Sequence, residues 1–246
     1  MSAKTKTDLE RHKRHLLLKE IGGPGVQKLA AASVSIVGAG ALGGPCAMYL
    51  AAAGVGAIEI WDDDRVDRSN LQRQVQFNEG DIGKAKADML ATQLIAQNTE
   101  LKVSVQGRRF FAGDDLAGDI LIDATDNYET RFALNRIAHE TGRPLVHGAA
   151  ARWTGQVSVF SSGVQRGAPC YQCWVPAEPP EAEACDDVGV AGPVTGIVAT
   201  HMALETLKLI TGAGDPLVGR LMLIEGLTGN ARLIGLRADS ACPVCS

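Results

Sequence analysis

The turn Gly38-Ala39-Gly40-Ala41-Leu42-Gly43 follows the apolar run at residues 34–37 and precedes a segment of small residues. Strand, tight turn and helix in that order make a cradle for a phosphate. Gly38 permits the sharp turn, Gly40 leaves room for a ligand against the backbone, and Gly43 lets the helix lie close to the strand. The helix start offers unpaired N–H groups and the positive end of its dipole to an anion. Asp62 lies about 20 residues further on, at the end of a second apolar run, where a carboxylate accepts hydrogen bonds from ribose hydroxyls. A glycine turn that only packed a helix on a sheet would leave the cluster Asp62-Asp63-Asp64 unexplained.

A second chemical signal is Cys170-x-x-Cys173 with Cys242-x-x-Cys245. Each pair can present two thiolates to one ion, and two pairs close a tetrahedral zinc site with no position left for water. Such a site is structural and would tie the loop after Phe160 to the C-terminal tail. Neither pair opens a helix behind a strand, as a redox CxxC would. Cys46 is expected to pack among small residues. Cys185 precedes Asp186-Asp187, and acidic neighbours raise a thiol's pKa and blunt it. Lys86 adds a cation near the start of an amphipathic segment. Asp126 follows the run Ile120-Leu121-Ile122, at the strand end where open α/β sheets bind ligands, although Asp126 or Asn127 would equally serve as a helix N-cap.

The elements that must position these groups alternate strand and helix, which predicts an α/β fold with a mostly parallel, Rossmann-like sheet. Residues 8–19 read as a basic helix ended by Gly22-Gly23-Pro24-Gly25, with Pro24 starting the next. A helix is expected over 83–97, with Lys84 and Lys86 in its first turn, and another over 128–140. Leu101, Val103 and Val105 alternate as a strand, and residues 144–146 read as a further one. The alternation at 157–160 predicts an antiparallel addition, and 220–225 with 231–236 a hairpin. Residues 161–192 lack periodicity and read as a long loop, while 193–210 read as a buried helix. We expect one domain over 1–246, with a helical arm at 1–32 and a zinc-binding tail at 237–246.

A chain of 246 residues can bury a substantial core. The net charge of −4 provides no global basic field, so no nucleic-acid partner is expected and an anionic ligand needs a local site. The most apolar helix carries Thr, His, Glu and Lys, which argues against a membrane span. No segment resembles a signal peptide, so a cytoplasmic location is expected, where cysteines serve as metal ligands or reactive thiols rather than in disulfides.

Taken together, Gly38-x-Gly40-x-x-Gly43, Asp62-x-Asp64-x-Val66-x-x-Ser69-Asn70-Leu71-x-Arg73-Gln74, Lys86 and Asp123-x-Thr125-Asp126-Asn127 resemble the ThiF/MoeB/HesA adenylyltransferases, bacterial relatives of ubiquitin-activating enzymes. The likeness runs on through Gly148-Ala149-Ala150-x-Arg152-x-x-Gly155-Gln156, Cys185-x-x-x-Gly189-Val190 and the two CxxC pairs, and is MoeB-like in layout. It implies ATP and Mg2+ as cofactors beside Zn2+. The implied partner is a ubiquitin-like sulfur carrier ending in Gly-Gly, whose carboxylate is adenylated on the way to a thiocarboxylate in molybdopterin or thiamin synthesis. Arg73 and Lys86 would meet the ATP phosphates, Asp126 the metal–phosphate unit and Asp62 the ribose. Ala41, Asp64, Ser69 and Asn70 would line the nucleotide site with Asn127. Arg14 would reach the site of the other subunit in a homodimer. Cys185 stands where some relatives bond covalently to the carrier. Sulfur would come from a separate donor protein, since no rhodanese-like domain follows Ser246. The competing readings are an NAD-dependent oxidoreductase, a fold that kept its zinc but lost its chemistry, and a relative acting on a different protein or peptide carboxylate.

Overall fold

Beneath the glycine turn the chain runs as a parallel strand–helix series. The computed structural model describes residues 10–175 and 188–246. After α1 (Lys13–Leu16) and α2 (Gly22–Ala31), strand β1 (Ser33–Val37) leads into α3 (Gly43–Ala53), and β2 (Ala57–Trp61) follows. Then come α4 (Lys86–Gln97), β3 (Lys102–Gln106), β4 (Ile120–Asp123), α5 (Tyr128–Glu140) and β5 (Leu145–Ala151). Every pairing among β3, β2, β1, β4 and β5 is parallel. The direction then reverses. Strand β6 (Thr154–Phe160) returns antiparallel to β5, and β7 (Arg220–Glu225) and β8 (Asn230–Gly235) continue that sense. The described strands form one sheet in the order β3-β2-β1-β4-β5-β6-β7-β8. This is the mixed α/β sheet that the alternation of elements predicts.

Alternation along β1, β2, β4 and β5 separates two apolar layers. Ile36, Ile60, Ile122 and Val146 face one side and pack with Leu50 of α3, Leu90 of α4 and Met202 of α7 (Gly192–Thr211). Val37, Trp61, Leu121 and Leu145 face the other, with Leu134 of α5 and Tyr171 of α6 (Tyr171–Trp174). Leu121 and Leu145 are fully buried, so truncating either to alanine should cost about 2–5 kcal/mol.

Several boundaries differ from the expectation. Helix α2 begins at Gly22, so Gly22, Gly23 and Pro24 occupy its first turn and do not separate two helices. First-turn N–H groups have no partner within the helix, so a proline there costs no helical bond. The break falls earlier, where Ile21 N–H and Gly22 N–H both bond to Leu18 O. Helix α4 begins at Lys86, not at residue 83. Gly83 adopts φ +84°, and residues 83–86 pair their backbone with 64–66, through Gly83 N–H to Val66 O, Val66 N–H to Lys84 O and Lys86 N–H to Asp64 O. Lys84 therefore lies outside the helix, 3.2 Å from Asp81. Within the expected loop 161–192, the short helix α6 starts just after Cys170 and includes Cys173.

Candidate active site

Gly38 takes φ +97°, and a Cβ there would stand 2.5 Å from Ala124 O. A Cβ on Gly43 would stand 1.8 Å from Gly38 O, so the first turn of α3 can lie against the glycine turn only because residue 43 has no side chain. Gly40 is different: its Cβ would meet only Gln74 Nε2, at 3.5 Å. The protein's own packing does not demand glycine there, and the open space faces the cleft. The N-terminus of α3 has no side-chain cap and no acid in its first turn. Gly44 N–H bonds to Gly40 O at 3.0 Å and Pro45 has no N–H, so among the described residues the Gly43 N–H is the first-turn donor left for a ligand.

Two side chains brace the turn. Gln76 Nε2 donates to Ala39 O and Gly40 O, at 3.0 Å each. Asp62 Oδ2 accepts the Ala39 N–H at 2.7 Å and its Oδ1 the Asp64 N–H at 2.8 Å. Burial pushes the Asp62 carboxyl above its ordinary range, against the pull of these two N–H groups and of Lys86.

Lys86 is the first residue of α4. Its side chain is buried, with Nζ 2.8 Å from Asp64 Oδ2. Arg73 is half-buried and donates from Nη1 to Ser69 O at 3.3 Å. It follows a 3-10 turn, Arg68–Asn70, in which Asp67 and Asn70 cap one another's backbone. Asp126 precedes Asn127, whose Oδ1 accepts the Thr130 N–H at 2.9 Å and caps α5. Asn127 therefore does the capping.

These groups meet at the carboxyl ends of β1, β2 and β4, around one cleft of about 570 Å3. Its walls include Gly38, Gly40, Ala41, Asp62, Asp64, Asn70, Arg73, Lys86, Asp126 and Asn127. Gly43 and Ser69 stand behind the wall. Gly43 packs on the turn, and Ser69 gives its N–H and hydroxyl to Asp67 Oδ1 at 2.8 and 2.7 Å. Arg14 is exposed on α1 and is not part of this chain's cleft wall. Cys185 lies outside the described residues. Cations and carboxylates face each other across the cleft, so it can hold a polyphosphate and a divalent ion together.

Residues that the sequence reading passed over also shape the site. Arg108 stacks over Trp61, 4.7 Å from the ring centroid, and is clamped by Asp114 at 2.9 and 2.6 Å. Arg131 lines the cleft from α5. Gln76 and Arg131 lack a sequence signal because buried polar residues have no period. His147 interrupts the apolar run of β5, and that interruption was the one available clue.

The four cysteines of the paired motifs converge. Cys170 and Cys242 Sγ are 3.4 Å apart, as are those of Cys173 and Cys245, and all four lie within 4.8 Å of one another. Disulfides need about 2.05 Å. Zinc–sulfur bonds of about 2.3 Å put tetrahedral sulfurs about 3.8 Å apart, so the set fits that ion. Asp239 N–H and Asn135 Nδ2 point at Cys173 and Cys170 sulfur, at 3.3 and 3.5 Å, as outer partners of bound thiolates do. With no cation, burial pushes the Cys170 thiol up to about 11.

The ThiF family model matches residues 12–244. The chain is 39% identical to a sulfur carrier protein adenylyltransferase of Thermus thermophilus, over 98% of this chain and 92% of that protein. It is 40% identical to an adenylyltransferase and sulfurtransferase MOCS3 of Drosophila grimshawi, over 97% of this chain but 54% of the relative. The chain thus spans about half the length of that second relative. Among solved structures, E. coli MccB with MccA aligns at a TM-score of 0.83 and 22% identity, covering 99% of this chain and 75% of that one. That likeness is one of fold.

Proposed function

The chain belongs to the ThiF family, and from that premise we propose that it is an adenylyltransferase that activates the C-terminal glycine carboxylate of a ubiquitin-like sulfur carrier with ATP. The observation that carries this reading is the gathering of Arg73, Lys86 and Asp126, from three separate segments, around the cleft that holds the glycine turn.

The chemistry follows from charge. A carboxylate is ionised at neutral pH and needs no general base. Its obstacle is the negative charge of the triphosphate. One carboxylate oxygen attacks the α-phosphorus, the bond to the bridging oxygen breaks, and pyrophosphate leaves with the electron pair. Arg73 and Lys86 offset phosphate charge, and the positive end of the α3 dipole, with the Gly43 N–H, adds to it. Asp126 would hold the Mg2+–phosphate unit, whose ion supplies further positive charge to the leaving group. Asp62 would meet the ribose, with its carboxylate fixed by the Ala39 and Asp64 N–H groups. Ser69 serves by holding the Arg73 segment.

We assign the remaining roles on the same premise. The four cysteines hold Zn2+, which joins α6 to the C-terminal tail. The active form is a homodimer in which Arg14 completes the partner's site. Exposed Leu16, Leu17 and Leu18 beside Arg14 support an arm that packs on another copy. Sulfur comes from a separate donor protein. Among the described cysteines, Cys46 is buried in the core and the others form the clip. No described helix is long and apolar enough to cross a membrane, and described cysteines without a disulfide suit the reducing cytoplasm. Cys185 is assigned no part in adenylation.

The relatives at 39% and 40% identity carry adenylyltransferase names, which disfavours the NAD reading. The test is ATP–pyrophosphate exchange with Gly-Gly-ended carriers. The wild type should return labelled pyrophosphate to ATP. Arg73→Ala and Lys86→Ala should each lose about 10²-fold or more of the rate while keeping their metal. Normal exchange in either variant would remove that residue from the mechanism.

A further inference from the structure

Asp123 ends β4 and His147 lies opposite it in register on β5. Both are completely buried, at positions flanked by Leu121, Leu145 and Val37. Apolar side chains there would cost less, because burying ionisable groups carries a large desolvation penalty. What the polar groups do is hold one residue. Asp123 Oδ1 accepts the N–H and hydroxyl of Thr125, at 3.1 and 2.6 Å. Arg131 Nη2 donates to the Thr125 carbonyl at 2.7 Å. Every polar group of Thr125 is therefore engaged, and its successor is Asp126. On the far side of Asp126, Asn127 is pinned as the N-cap of α5. Asp126 is thus held between two fixed neighbours.

The other carboxylate oxygen is held in turn. His147 Nδ1 lies 2.7 Å from Asp123 Oδ2, and Arg131 Nε lies 4.0 Å from the same oxygen. An ionised carboxylate only accepts, so the imidazole proton sits on Nδ1. Among the described residues Nε2 has no hydrogen-bond partner. The ring is boxed by Phe160, Tyr171 and Trp174, with centroids 6.1, 5.0 and 6.1 Å away. Tyr171 and Trp174 belong to α6, between and just after the first two clip cysteines. Asn135 lies one helical turn after Arg131, on the same face of α5. It accepts the Tyr171 N–H at 2.8 Å and donates to Cys170 Sγ at 3.5 Å. Two routes, the His147 ring and the face of α5, therefore join the cysteine clip to the segment that carries Asp126.

We propose that Asp123, His147, Arg131 and Asn135 are positioning residues that couple the four-cysteine clip to the placement of Asp126 in the nucleotide cleft. This rests on the assignment of the cleft to Mg·ATP. His147→Leu keeps an apolar filling of the box but removes the donor to Asp123. His147→Asn places an amide N–H near the position of Nδ1. Asn135→Ser cuts the α5 route alone.

The experiment measures Mg·ATP binding by calorimetry, the KM for ATP and for carrier in exchange, and hydrogen exchange of the Thr125 to Thr130 amides. His147→Leu should weaken Mg·ATP binding about tenfold or more, as loss of an outer partner of a metal ligand does. It should raise the ATP KM, leave the carrier KM unchanged and speed exchange of the Thr125 amide, while His147→Asn recovers most of each. Chelation of the metal and Asn135→Ser should speed the same amides without touching those of β1 and β2. If His147→Leu does not fold, Asn135→Ser and chelation decide. Unchanged amide protection and ATP affinity in the variants, with normal binding in the wild type, would overturn the coupling alone. Failure of the wild type to bind Mg·ATP would instead overturn the functional reading beneath it.

Discussion

At the scale of single residues, the cleft is an exercise in placing charge that water would otherwise take. Lys86 is buried with Nζ 2.8 Å from Asp64 Oδ2, and the half-buried Asp62 is fixed by two backbone N–H groups. The pair beneath the cleft has a measurable signature. Burial holds the His147 imidazole below its ordinary range, against the pull of Asp123. Burial also pushes the Asp123 carboxyl up, but His147, Arg131 and Thr125 outweigh it and hold the group low. Below about pH 6.5 the unfolded chain takes up a proton at this histidine and the folded chain does not. Stability is therefore lost as pH falls through that value. The Asp123 contribution is present above about pH 3.9 and fades only as pH falls through the depressed folded value. The melting temperature should thus decline from about pH 6.5 toward about pH 5, and His147→Asn should flatten the decline. A variant curve parallel to the wild type would show that another group carries it. Of this network the sequence showed only Asp123-x-Thr125, within the family motif; His147, Arg131 and Asn135 are single polar residues inside apolar or helical runs.

At the scale of elements, local order was readable and element ends were less so. The helix over 128–140 has an N-cap side chain and an amphipathic pattern, and it forms where expected. The start of α4 was misplaced by three residues because its limit is set by pairing with residues 64–66, which lie far away in sequence. Those three residues matter: they move Lys84 out of the helix and put Lys86 at its first position. The clip is the other feature of this scale, since the tail after β8 buries little apolar surface beyond Cys242. Elemental analysis should find one zinc per chain. Cys242→Ser should lose it and lower the melting temperature by about 2–8 °C, the shift expected for about 1–2 kcal/mol in a chain of this length. A full metal complement in that variant would exclude Cys242 as a ligand.

At the scale of the whole molecule, the sheet changes from parallel to antiparallel at β5–β6. The parallel half presents its carboxyl ends to the cleft assigned to ATP, and the antiparallel half extends the sheet beyond β5. The arm belongs to this scale too. If Arg14 completes the partner's site, an Arg14→Ala chain and a Lys86→Ala chain, each inactive alone, should regain exchange when mixed, because one site of the mixed dimer is whole. No recovery after subunit mixing would return Arg14 to its own chain or to the surface. The sequence by itself determined the glycine turn, the acid at its proper distance, the two CxxC pairs and the alternation that makes an α/β sheet. Each of these is dictated by backbone sterics or ligand geometry acting over a few residues. Only the tertiary structure decided that Arg73, Lys86 and Asp126 share one cleft, and that a buried histidine on β5 braces the segment between them and the cysteines. Such contacts join residues tens of positions apart, and a buried polar group is chosen by the neighbours that the fold brings to it.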